Sequence, residues 1–376
     1  MDILNTSDTK VTRPPCFAQV SRLLDTMYDV QVCADHVTVP HTMEEQVRER
    51  WLDGDVMLYK AFLNPKILMV TNRFTSETAT FNPMRSMRLK RPDSSYREQI
   101  LKIIEDSKVG CDFCVSNKTL EDSFGRISWK KSNIFTAKNA FRYFDYTSMI
   151  IPADIHSFLE LDYVTFETMI AKVSVEWFEK THKLHPDRTH PVIVWDFLAK
   201  AGASQVHPHI NVLLGRGFYP GKWGHLDSVR MSYTADTNRD YLKDLITLHI
   251  SLGLGLEFKD AAVIVPIDPI RNREIWVIGS KNLDNWMWLL YVAYRTYIDE
   301  LDVYCSSQSV ALPTSVMTNT KVGKGGELMV GKLGARGDCM SCYSDVSSLE
   351  LYSFNSISTD YYETMAAFRK TFLKLK

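Results

Sequence analysis

The chain has 376 residues, 45% hydrophobic, 24% charged and 11% aromatic, a composition that builds a large folded core and excludes disordered, collagen-like and coiled-coil classes. Lys and Arg total 44 against 45 Asp and Glu, a formal charge of −1. No overall basic field draws the chain to nucleic acid or to an anionic membrane, so a phosphate ligand must be met by local charge.

The length fits about two domains. The densest apolar stretch, Trp286 to Tyr294, is too short to cross a bilayer, which takes about 18 to 20 residues. The N-terminus carries Asp2, Asp8 and Lys10 among polar residues instead of the basic-then-apolar order of a secretory signal; a cytoplasmic protein is expected. Residues 1–75 read as a partly helical extension for packing or oligomerisation, with Glu44, Glu45, Arg48, Glu49 and Arg50 on a polar face. No catalytic pattern stands there.

From Phe141 onward one order of elements occurs twice. Met149 to Pro152 reads as a strand, and Phe166, Met169, Ile170, Val173 and Trp177 then fall on one helical face. Val192 to Trp195 and His207 to Leu214 follow as β runs. In the second copy Val263 to Pro266 and Ile275 to Ile278 are strands, and Trp286, Leu289, Leu290, Ala293 and Tyr297 repeat the helical stripe. Val303 to Leu312 closes as a β run, and a terminal amphipathic helix is expected over 359–376. Gly215-Arg-Gly217 and Gly323 to Gly326 punctuate strand ends. The pattern predicts an α+β fold of two like halves, with antiparallel sheets and packed helices, over 76–225 and 226–376.

Seven cysteines include two Cys-x-x-Cys pairs. In a reducing compartment such pairs point to metal or redox chemistry before structural disulfides. Cys111 and Cys114 can bind one ion from a single turn, and His156 and His207 would complete a tetrahedral S2N2 set suited to zinc, with no open position. His156 is expected to open the helix after the Met149 strand. His209 stands two residues after His207, so on a strand both side chains share a face. One imidazole can hold metal while the other, neutral, attacks phosphorus; alternatively both are core histidines. Ser204 and Asn211 are neutral donors placed to orient the ring and hold phosphate oxygens. Arg85, Arg88, Lys90 and Arg91 form a local basic cluster that suits phosphate or is solvated surface. For Cys339 and Cys342, incidental burial, a second metal and redox chemistry all stay open.

Six motifs occur in order: Phe81-Asn-Pro-Met-Arg85, Arg88-Leu-Lys-Arg-Pro92, Cys111-Asp-Phe-Cys114, Asn139-Ala-Phe141, Ile151-Pro-Ala-Asp-Ile-His156 and Gly202-Ala-Ser-Gln-Val-His-Pro-His209. Together they resemble the galactose-1-phosphate uridylyltransferase branch of the histidine-triad superfamily, most closely over residues 80–215. The resemblance implies tandem histidine-triad-like halves, with His209 as nucleophile and Arg88 and Arg91 on the donor's phosphates. It places Ser204 and Asn139 along the donor site and a structural zinc on Cys111, Cys114, His156 and His207.

This chain departs from the family pattern at four places. Asn211 replaces Gln, and Ala140 replaces an acidic residue. Ser307-Gln-Ser309 stands where a second metal-binding His-x-His is expected, and Lys332 replaces an aromatic residue near the sugar-phosphate pocket, favouring an anionic acceptor of different shape. The expected activity is nucleotidyl transfer from a nucleoside-diphosphate compound such as a nucleotide sugar, through a nucleotidyl-histidine, to a phosphate-bearing acceptor. A nucleotide-sugar or dinucleoside-polyphosphate phosphorylase and a catalytically retired nucleotide-binding protein are the alternatives. The resemblance also implies sites completed across a homodimer, with no nucleic-acid or membrane partner.

Overall fold

The computed structural model describes residues 17–86, 95–142, 144–280, 282–318 and 328–376. Arg88, Lys90, Arg91 and the Gly323 to Gly326 segment lie outside them. Fourteen strands are described: β1 (Tyr28–Ala34), β2 (Lys66–Asn72), β3 (Thr78–Phe81), β4 (Ser128–Trp129), β5 (Ile134–Ala137), β6 (Thr147–Pro152), β7 (Arg188–Phe197), β8 (Ile210–Arg216), β9 (Gly255–Phe258), β10 (Ala261–Ile264), β11 (Ile275–Gly279), β12 (Ser306–Ala311), β13 (Val330–Ala335) and β14 (Asn355–Ile357).

Ten of them form one antiparallel sheet in the order β4-β5-β6-β8-β7-β12-β13-β11-β10-β9. The order is a palindrome. The five strands before the β7–β12 seam mirror the five after it, so the sequence repeat becomes an internal two-fold in the sheet. Each half carries its apolar helix. The helical run from Tyr163 to Leu184 contains a π-turn at Thr168–Val173, and Phe166, Met169, Ile170, Val173 and Trp177 are all buried, as the stripe predicts. In the second half the helix Leu283–Asp299 buries Trp286, Leu289, Leu290, Ala293 and Tyr297. The start of each helix is fixed by a side-chain cap, Asp162 accepting from the Thr165 N–H and Asn282 from the Asp284 N–H. The C-terminal helix Tyr361–Leu375 is capped in the same way by Asp360.

A second, four-stranded sheet has the order β1-β2-β3-β14. The N-terminal residues are therefore tied to the end of the chain, β14 running parallel to β3. No helix among the described residues is long and apolar enough to cross a membrane.

Candidate functional site: a Cys2His2 cluster beside a histidine cavity

Cys111 precedes a single 3-10 turn, Asp112–Cys114, and Cys114 ends it. His156 lies in the loop after β6, and His207 in the loop before β8. The helix opens seven residues past His156, at Tyr163, because Asp162 is the residue that caps it.

The four ligand atoms lie within 4.8 Å of one another. His207 Nδ1 is 3.1 Å from His156 Nδ1, 3.5 Å from Cys114 Sγ and 3.6 Å from Cys111 Sγ, and His156 Nδ1 is 3.3 Å from Cys114 Sγ. Bonds of about 2.0 Å to imidazole and about 2.3 Å to thiolate put the corners of a tetrahedron about 3.3–3.8 Å apart, so these spacings fit one ion.

The outer nitrogens strengthen the case. His207 Nε2–H donates to the Pro152 carbonyl at 2.9 Å. Ser107 Oγ gives its proton to the Ile104 carbonyl at 2.7 Å and so accepts from His156 Nε2–H at 2.9 Å. Both rings therefore turn an Nδ1 lone pair toward the other, an arrangement that a shared cation stabilises. Burial pushes His207 down to about 4 and lowers His156, keeping both in the neutral, ligating form. Burial and the neighbouring Cys111 raise the Cys114 thiol to about 11. The cluster can hold a metal ion.

His209 sits beside this centre. The edge of the Phe113 ring meets both imidazoles, with centroids 5.9 Å from His207 and 5.2 Å from His209. Both histidines precede β8, which starts at Ile210. His209 Nδ1–H donates to the His207 carbonyl at 2.9 Å. A carbonyl only accepts, so in the neutral ring the lone pair is on Nε2, which forms no hydrogen bond among the described residues. Burial lowers the ring's pKa and favours that neutral form.

The ring opens on a cavity of about 530 Å³ lined by Ser204, Asn211, Asn139, Phe141 and Lys138 among others. Asn211 and Ser204 make no side-chain hydrogen bond among the described residues. Gly202, at φ +114°, holds a left-handed bend that a side chain would strain and carries the loop to Ser204. Asn139 Oδ1 accepts from the Phe141 N–H at 2.9 Å, and the Phe141 ring is 91% exposed.

No family model matches the chain, and no curated protein is similar to it in sequence. Solved structures are similar in fold. An ADP-glucose phosphorylase from Arabidopsis thaliana with bound ADP-glucose superposes with a TM-score of 0.57 at 13% identity, over 81% of this chain and 98% of that one. A GalT-like protein from the same plant gives the same values. A uridylyltransferase gives a TM-score of 0.53 at 12% identity, over 82% and 99% of the two chains. The chain shares the fold of these GalT-like proteins.

In this GalT-like fold the sequence-expected residues divide into groups. His209, Ser204, Asn211 and Asn139 meet at one cavity, and the four metal candidates at one point behind it. Lys332 lines a neighbouring cavity instead, together with Ser307 and Ser309. Cys339 accepts a hydrogen bond from Tyr96 Oη at 3.0 Å, and Cys342 is exposed. Three contributors have no signature in the sequence. Ser107 and the Pro152 carbonyl, which orient the ligating rings, act through contacts that spacing does not reveal. Lys138, which reaches the cavity while paired to the buried Asp122 at 3.1 Å, is one of many lysines.

Proposed function

We propose that this protein is a nucleotidyltransferase that works by double displacement on His209. Supporting this reading above all is the Nδ1–H bond to the His207 carbonyl, which leaves the lone pair on Nε2 of a ring that lines the cavity. In the first step Nε2 attacks the α-phosphorus of a nucleoside-diphosphate compound. A P–N bond forms, the bridging P–O bond breaks, and the leaving phosphate fragment takes the electron pair. In the second step an acceptor phosphate oxygen attacks the same phosphorus, and the P–N pair returns to Nε2. Ser204 Oγ–H and the Asn211 amide are free to donate to the phosphoryl oxygens as charge builds on them. Asn139 and the open face of Phe141 suit the nucleoside end, an aromatic ring being a stacking surface for any base. Arg88 and Arg91 keep the donor-phosphate role that the motif resemblance gives them, and Lys332 contacts the acceptor.

Among the similar folds one is named an ADP-glucose phosphorylase, with ADP-glucose bound, and another a uridylyltransferase. The first also favours a phosphorylase as the second reading, with inorganic phosphate as acceptor. For the ion, two thiolates and two imidazoles suit zinc. Cys111, Cys114, His156 and His207 would hold it with no open position, so it would pin the Cys111 loop to the residues before β8 and take no part in the displacement.

Intact-mass measurement after incubation with a panel of nucleotide sugars tests the proposal. The wild type gains one nucleotidyl group, the mass of a nucleoside monophosphate less water, and His209→Ala gains none. An adduct that survives the substitution, or none with any donor, overturns it. Steady-state assays with sugar phosphates against inorganic phosphate separate transferase from phosphorylase.

A further inference from the structure

Strand pairing sets one residue from each of six neighbouring strands in a row across the middle of the large sheet: Met149, Asn211, Val194, Ser309, Lys332 and Trp276. Residues directly opposite in a ladder point to one face. About the β7–β12 seam, the two-fold pairs Val194 with Ser309, Asn211 with Lys332 and Met149 with Trp276. Lys332 is thus the second half's counterpart of Asn211, and three strand spacings of about 4.8 Å put their backbones about 14 Å apart.

Lys332 lines a cavity of about 510 Å³ that shares Val194 and Asp196 with the His209 cavity. The two cavities therefore lie side by side on one face, across the seam. The Lys332 ammonium has three N–H donors and makes no hydrogen bond or ion pair among the described residues. Its Nζ lies 3.5 Å from the centroid of the Trp276 ring and 5.2 Å from that of Trp223. The carboxylates around it are already engaged. Asp268 accepts from Tyr28 Oη at 3.2 Å and Asn72 Nδ2 at 2.9 Å. Glu274 accepts from Trp276 Nε1 at 2.6 Å and from the Arg271 N–H at 3.2 Å. A partly buried ammonium with no hydrogen-bonded acceptor, beside carboxylates that other donors already hold, is completed by a ligand that brings anionic oxygens. Arg271 lines the same cavity and adds a second cation.

We infer that the second half's cavity is a separate seat for a phosphate group of the second substrate, held by Lys332 and Arg271 while the nucleotide occupies the His209 cavity. The order of events rests on the transferase reading; the binding does not. A bare phosphate ion cannot reach both ends of this span. The acceptor is therefore an elongated molecule with an anchored phosphate at one end and an attacking phosphate oxygen at the other. That oxygen forms the new P–O bond as the P–N bond to His209 breaks, and an ionised phosphate needs to shed no proton.

The test is a tryptophan-fluorescence titration of the full chain with fructose 1,6-bisphosphate, with fructose as the phosphate-free control. Wild type, His209→Ala, Lys332→Met and Arg271→Met are compared. Saturable binding to wild type and to His209→Ala is expected, at least tenfold weaker in Lys332→Met and severalfold weaker in Arg271→Met, with no response to fructose. Should circular dichroism show Lys332→Met unfolded, Arg271→Met decides. No saturable binding to wild type, or undiminished binding in the folded Lys332 or Arg271 variants, overturns the inference. Because His209→Ala cannot form the covalent intermediate, the two failures are distinct. Binding without a wild-type adduct sinks the transferase reading alone, and an adduct without this binding sinks the second seat alone.

Discussion

Replacing Ser107 by Ala probes the metal centre without touching a ligand. Ser107 Oγ accepts from His156 Nε2–H at 2.9 Å while its own proton is held by the Ile104 carbonyl at 2.7 Å. That single bond fixes which nitrogen of His156 faces the thiols. Without it the ring can rotate or change tautomer, and a half-buried N–H loses its partner. Loss of such an outer partner lowers metal affinity about 10- to 100-fold, or about 1.4 to 2.7 kcal/mol. Zinc affinity is measured by competition against a chromophoric chelator, with metal content from elemental analysis. Ser107→Ala should keep one ion per chain at saturation but bind it at least tenfold more weakly, whereas Ser107→Thr, which keeps the hydroxyl, should stay close to wild type. Affinity within twofold of wild type for Ser107→Ala would refute the reasoning about tautomers, and a wild-type chain that binds no stoichiometric ion would remove the centre altogether.

Burial lowers the Lys332 ammonium to about 8 against the pull of Glu274, Asp268 and Glu77, with Lys222 adding to the depression. Phosphate affinity at its cavity should therefore be steady below pH 8 and fall above it, by up to about tenfold per unit, as read by the same titration at pH 7, 8 and 9. The stability sign is opposite: the folded chain releases this proton before the unfolded one, so the destabilising effect of the buried charge is full below pH 8 and fades as pH rises toward about 10.4. Asp122, buried, holds Lys138 at 3.1 Å, Ser148 Oγ at 2.8 Å and Trp177 Nε1 at 3.1 Å; Asp122→Ala strands Lys138 and Trp177, while Ser148 keeps the Ala137 carbonyl at 2.9 Å, and should lower unfolding free energy in urea by about 3–5 kcal/mol. At Gly331 an added Cβ would meet Leu290 Cδ1 at 2.7 Å, so Gly331→Ala should destabilise by about 1–3 kcal/mol by overpacking, seen as a lower Tm.

The helical stripes at Phe166 and Trp286 could be read from the sequence because each buries one face, and apolar spacing reports that directly. The metal candidates were legible because Cys and His are few and chemically particular. The N-terminal strands were not. Val30 and Val32 alternate as a strand's residues do, yet both face solvent, at 42% and 66% exposure, so their periodicity marks no core. The pairing of β14 with β3 joins residues more than 270 apart in sequence, and nothing local specifies it. The Lys332 cavity was half legible: the residue stood out, but its place opposite Trp276 and Ser309 is a matter of register.

The continuous ladder through β7 and β12 also bears on how the chain can be cut. Hydrogen bonds cross the midline without a gap, from Val192 paired with Ala311 to Phe197 paired with Ser306. A fragment ending near residue 225 would leave β7 with an unpaired row of backbone groups, and one starting there would do the same to β12. Naked edges of this kind recruit other strands. Severed halves would seek each other or themselves, making complementation in trans a realistic outcome and lone soluble monomers a poor one.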